Sequence, residues 1–246
     1  SLESVEIGSS SMGAYSVLSV ENTPSLEVLS IGSTSFMNAN ALRLNGLSKL
    51  KRVEINANSF NGDCGDFSLT NCGNVSELVF GDGSMKSFKS IEIDGVPCLE
   101  TIHVGSNAFK NVNEMRLVGL SKLKRVEVGE DSFTNKEGSF ELKNCAIMSE
   151  LVVGNRSLSS FSSFEIATTP SLKTITIGSD SLKNVDSFVL SGLSGLKRVV
   201  VGSSSFSNKN GTFSVVNCAS LESVEIGSSS MGAYSVLSVD NAPSLE

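Results

Sequence analysis

Apolar residues recur along this chain in a fixed rhythm. In the first stretch they are Leu2, Val5, Ile7, Met12, Tyr15, Leu18 and Val20. The set returns as Leu26, Leu29, Ile31, Phe36, Ala39, Leu42 and Leu44, and again as Leu99, Ile102, Val104, Phe109, Val112, Met115 and Leu117. Each set holds two L-x-x-L-x-L-like segments about thirteen positions apart. The V-x-I and L-x-V endings have the period of two that puts both residues on one face of a strand. They are rich in β-branched residues, which suit strands. Gly, Ser and Asn fill the intervening corners, and Pro24, Pro97, Pro170 and Pro243 mark their ends. No segment offers ten or more residues of helical periodicity, so the pattern predicts strands with few or no regular helices.

The rhythm has a second level. Residues 1–20 return unchanged as residues 220–239, and the longer copies 1–27 and 220–246 differ only at Glu21/Asp240 and Thr23/Ala242. The offset from Ser1 to Ser220 is three 73-residue units, seen directly in KLKRVEINANSFNGDCGDFSLTNC (49–72), KLKRVEVGEDSFTNKEGSFELKNC (122–145) and GLKRVVVGSSSFSNKNGTFSVVNC (195–218). Each unit divides into two 24-residue coils and a 25-residue coil. Ten coils begin at Ser1, Ser25, Lys49, Asn74, Cys98, Lys122, Ile147, Ser171, Gly195 and Ser220, with a stub from Ser244. One coil cannot bury its apolar edge alone, so the coils must stack and share a core. The expected fold is a mainly β solenoid with parallel strands on two faces, about 48 Å long at about 4.8 Å per coil. It forms one array over 1–246, with super-repeats 1–73, 74–146 and 147–219 and a partial unit 220–246.

Stacking turns each coil position into a column, which sets a register. It places Glu27 against Lys51, Arg52 against Glu77, Glu100 against Lys124 and Arg125 against Glu150. Opposite charges across strands contribute about 0.2–1 kcal/mol each. Lys173 beside Lys197 runs against the pattern.

The motif L-x-x-V-x-I-G-x-x-S-F followed by N-C-x-x-L, as in RLVGLSKLKRVEVGEDSF (116–133) and SVVNCASLESVEIGSSSM (214–231), resembles the BspA-type leucine-rich repeats of bacterial and protist surface proteins. The resemblance runs through every coil. It departs at the asparagine-ladder position, where this chain has Ser10, Thr34, Asn58, Gly83, Asn107, Asp131, Arg156, Asp180, Ser204 and Ser229. The second segment of each coil also reads as strand where many relatives have helix. A generic parallel β-helix is the alternative fold.

Composition narrows the function. With 26 acidic and 19 basic residues the net charge is −7, the wrong sign for nucleic acid or an anionic membrane surface. No apolar run reaches the roughly 18 residues of a membrane span. Hydrophobic residues make up only 39%, with no Trp and two Tyr, so the fold must build its core from small side chains and extended backbone.

Little in the chain points to chemistry. Cys72, Cys145 and Cys218 share one position of the 73-residue unit, three coils or about 14 Å apart, beyond the roughly 7 Å reach of a disulfide. Their column otherwise holds Thr23, Leu47, Val96, Leu120, Thr169, Leu193 and Ala242, which makes them structural core cysteines at a corner. Cys64 with Cys72, or Cys72 with Cys98, is a weaker pairing, and no spacing suggests zinc or another metal. His103, the one histidine, lies on the outward side of a strand with no nucleophile motif. Asp63 and Asp66 in NGDCGD are the nearest paired carboxylates, but the equivalent loops TNKEGS and SNKNGT do not repeat them. These loops carry the extra residue of every third coil and read as bulges, or as a row of lateral knobs. Asn74, Asn155 and Asn210 begin N-x-S/T triplets, candidate glycosylation sites if the chain is secreted. The Ser-rich corners (GSSS, GSTS) read as a solvated face.

The expectation is therefore a non-enzymatic structural protein without cofactors, extracellular or on a cell surface. Residues 1–27 and 220–246 have interior-type sequence rather than caps, which suggests a segment of a longer array or copies stacked end to end into a filament. The alternative is a recognition or adhesion module that binds a protein or glycan along one sheet, where residues would break the 73-residue pattern.

Overall fold

The computed structural model describes residues 2–135, 138–207, 211–232 and 234–245. They form a continuous stack of ten coils, each with a four-residue strand on a first face and a five-residue strand on a second, paired in parallel with the neighbouring coils. No helix occurs among the described residues. The first face is one ten-stranded sheet from Ser4–Ile7 to Ser223–Ile226. The second face is two sheets, of four and six strands, which part between Ser90–Asp94 and Glu114–Val118.

The register follows the coil lengths read from the sequence. Arg52 pairs with Glu77, Thr101 with Arg125 and Arg125 with Glu150. All four charge pairs expected from the columns form: Glu27–Lys51 at 2.7 Å, Arg52–Glu77 at 3.4 Å, Glu100–Lys124 at 2.6 Å and Arg125–Glu150 at 2.7 Å. All are half-exposed, so each supports the register more than the stability. Lys197 turns away from Lys173 to pair with Glu222 at 3.1 Å.

The strands alternate because a pleat sends successive side chains to opposite faces. Leu29, Ile31, Leu42 and Leu44 are wholly buried, and so are their equivalents along most of the stack. Aromatic rings extend the core in columns: Phe140, Phe164, Phe188 and Phe213 follow one another at centroid separations of 4.7, 5.5 and 4.6 Å.

Coils turn their corners through residues in the left-handed region. One such column includes Ser10, Thr34, Asn58 and Asn107, whose φ lies between 56 and 60°. Its shared property is this conformation rather than an amide side chain, which is why Asp131, Arg156 and Ser204 also serve. Its amides donate to the next coil, as Thr34 N–H does to Ala57 O at 2.8 Å. A second column holds bulky apolar residues, including Phe36, Phe60, Phe109 and Phe133 with φ from 49 to 56°. A left-handed Phe costs about 1–2 kcal/mol, offset here by complete or near-complete burial of the ring.

Between these two columns runs a buried serine ladder, which revises the reading of the GSSS corners as solvated. Ser35, Ser59, Ser132, Ser157, Ser181 and Ser205 are fully buried. Each hydroxyl accepts from an amide of the previous coil and donates to that coil's glycine carbonyl. Ser181 Oγ, for instance, lies 3.2 Å from Ser157 N and 2.8 Å from Gly154 O. The glycines of this column are forced by proximity: a Cβ on Gly178 would lie 2.6 Å from Asn155 N. The ladder breaks at coils 4 and 5. Ser84 Oγ is buried without a partner, and Ala108 stands where the next hydroxyl belongs.

This ladder predicts a contrast between equivalent serines. Ser181→Ala removes two buried hydrogen bonds and should lower unfolding stability by about 1–3 kcal/mol, whereas Ser84→Ala should be close to neutral. Urea denaturation of the two variants in parallel checks this; equal losses would mean the hydroxyl bonds contribute nothing.

Candidate functional site

The feature that most departs from the repeat is the split in the second face between coils 4 and 5. It is a wedge. At the entry to each second-face strand, an amide donates to the preceding coil at 2.7–3.0 Å, as in Lys89 to Gly65 and Ser139 to Asn113. Across the split the equivalent bond, Asn113 to Lys89, is stretched to 3.4 Å. At the strand exit an amide donates to the following coil at 2.9–3.3 Å, as in Asn71 to Asp94 and Gly119 to Lys143. The equivalent bond from Gly95 to Val118 is not formed. The strands therefore touch at one end and diverge towards the other.

Sequence differences account for the place. The first-face column reads Ile7, Ile31, Ile55, Phe80, Val104, Val128, Val153, Ile177, Val201 and Ile226, so coil 4 alone puts a ring there. Phe80 is buried, edge-on to Phe67 at 5.3 Å and to Phe109 at 4.8 Å. Across the core, the Phe of coils 3 and 6–9 gives way to Ile91 and Met115. The second face thus loses its aromatic stack where the first face gains bulk.

The wedge encloses about 430 Å³, lined by Ile91, Glu92, Ile93, Asp94, Glu114, Arg116 and Val118. Ile91 and Ile93 are half-exposed, unlike their buried counterparts in neighbouring coils. Glu92 accepts from Ser68 Oγ at 2.7 Å, and Arg116 is held by Glu141 at 2.6 Å. The mouth is acidic, with an apolar floor. It can receive a small or extended ligand, but its lining holds no nucleophile or histidine.

The residues singled out by sequence lie elsewhere and apart. Cys72, Cys145 and Cys218 are fully buried, Cys98 is half-buried and Cys64 is exposed; all five are free thiols. Desolvation raises the three buried thiols above the ordinary range, Cys145 to about 11. Cys98 Sγ sits 3.5 Å from Lys122 Nζ. His103 points outward, with Nδ1 3.4 Å from Glu127 Oε2. Asp66 is tied to Arg43 at 2.9 Å, while Asp63 stands exposed on its loop. Asn74 is exposed and donates to Ser48 O at 2.6 Å; Asn155 is half-buried and donates to Glu130 Oε1 at 2.9 Å. Asn210 and part of the loops TNKEGS and SNKNGT lie outside the described residues. Among the described residues no three His, Cys, Asp or Glu side chains converge as metal ligands. No helix is long and apolar enough to cross a membrane.

The third-coil loops have a packing role that their composition hides. A Cβ on Gly65 or Gly138 would lie 2.2–2.3 Å from the ring of Phe88 or Phe161 in the next coil. Gly211 stands in the same relation to Tyr234, whose hydroxyl donates to Val185 O at 2.7 Å. The signal in the sequence is a Gly and an aromatic residue at the same separation in all three units.

No protein-family model and no curated protein matches the sequence. A solved leucine-rich repeat protein from Bacteroides ovatus is similar at 16% identity and a TM-score of 0.41, over 99% of this chain and 69% of that one.

The cysteines give a chemical check. A thiol reagent at neutral pH should modify Cys64 at once and leave Cys72, Cys145 and Cys218 untouched until the chain unfolds. The Cys145 pKa is raised on folding from 9.0, so between pH 9 and about 11 the unfolded state loses a thiol proton that the folded state keeps. Stability should fall as pH rises through that window, and the fall should be smaller in a Cys72→Ala, Cys145→Ala, Cys218→Ala variant, the remainder coming from the buried Tyr234 phenol, whose pKa is raised likewise, as followed by thermal melts.

Proposed function

We propose that this chain is a non-enzymatic structural scaffold: an elongated surface or extracellular solenoid whose stacking continues within a longer array or through copies set end to end. The observation that carries the reading is the uniformity of the coil-to-coil joint. The same backbone bonds, left-handed corners and buried serines recur at most joints of the stack, so one coil's edge is built to receive another's.

The two outermost coils fit this role. Ile226, Val236, Leu237 and Val239 are 45–69% exposed and line an apolar groove of about 520 Å³ with Phe213 and Val215. Leu2, Tyr15 and Val17 are 41–59% exposed at the other end. Val5 and Ile7 already pair in register with Leu29 and Ile31, and Val224 and Ile226 are their equivalents three units on. A copy laid head to tail would extend both sheets and bury both edges. A glycan on the exposed Asn74 belongs to the same reading. A second reading is a recognition or adhesion module for a protein or glycan, favoured by the wedge at coils 4 and 5.

Sedimentation velocity separates the two. The scaffold reading expects concentration-dependent, elongated oligomers that a Leu237→Asp, Val239→Asp variant abolishes. A chain that stays monomeric at every concentration, and binds a glycan or protein ligand at the wedge, would favour the second reading instead.

A further inference from the structure

We infer that the joint between coils 4 and 5 is a built-in hinge, about which the solenoid bends and at which it first opens into two blocks, residues 2–97 and 98–245. Three separate observations meet there. The second-face ladder is absent between Ser90–Asp94 and Glu114–Val118, although every other pair of neighbouring second-face strands is bonded. The serine ladder is interrupted at the same level. The amide of Ser84 finds no hydroxyl in the next coil because that residue is Ala108. Finally, Phe80 wedges the core open where Ile91 and Met115 reduce the facing wall.

The first face keeps its bonds across the joint. Glu77–Phe80 pairs with Thr101–Val104 in full register, and Gly105 N donates to Phe80 O at 2.6 Å. The adjacent corner also holds, with Gly83 N donating to Ser106 O at 2.7 Å. The intact sheet is thus the pin of the hinge, and the second face is the side that gapes. Opening turns the array so that its second face becomes convex. In a stack with nearest-neighbour cooperativity, a joint lacking one of its two ladders sets where the array separates.

Hydrogen exchange on the full chain tests this. Amides in 90–95 and 114–118 should exchange at least about tenfold faster than those of the matching strands 163–167 and 187–191, since several backbone bonds are missing. Ala108→Ser supplies the absent hydroxyl and should slow exchange at the joint by about fivefold while leaving coils 7–10 unchanged. Asn56→Gly, which lies at the joint between coils 3 and 4, should leave exchange at this joint unchanged. Equal exchange at the joint and at the matching strands would overturn the hinge. So would an Ala108→Ser variant that slows exchange evenly along the chain or not at all.

Discussion

The spacing of one backbone above the next constrains everything else in this molecule. Parallel coils hydrogen-bond only if each repeats the last coil's path, so conformation is copied up the stack even where residue identity is not. This is why Ser10, Arg156 and Asp180 can share one left-handed corner. It is also why the glycine column tolerates so little: at Gly178 a single methyl would collide with the coil before it. The buried serines use the same closeness. Two backbones lie near enough for one short hydroxyl to bridge them, so the chain builds its ladder from serine.

Legibility in the sequence divides along the same line. Period, register, strand positions and all four cross-strand charge pairs could be read, because each depends on repetition and on side-chain alternation alone. The serine ladder could not, since a Ser in GSSS is polar whether it faces water or a neighbouring carbonyl. Phe36 and Phe109 were legible as core, but their left-handed backbone was not, because propensity argues against it. The wedge was the least legible feature. Phe80, Ile91, Met115 and Ala108 are each mild substitutions, and only their coincidence around one joint gives them an effect.

The cysteines and aromatic residues show how a small core is filled unevenly. Cys72, Cys145 and Cys218 lie in the same corner of every third coil, while Gly65 and Gly138 let a ring from the following coil pack against the loop. Third coils therefore differ from their neighbours inside as well as outside. The charged residues, by contrast, sit largely in water and pair mainly across coils. They guide alignment and add little cohesion.

The extra residue of every third coil has a consequence for how such a chain can change length. Because Gly65 meets Phe88 and Gly138 meets Phe161 across successive coils, a third coil is matched to its successor. Loss of the coil that follows a third coil, by unequal recombination, would set a loop glycine beneath the wrong partner. Loss or gain of three coils together leaves every partner in place. The heritable module that keeps every such contact is therefore the whole three-coil unit, the period in which this chain repeats.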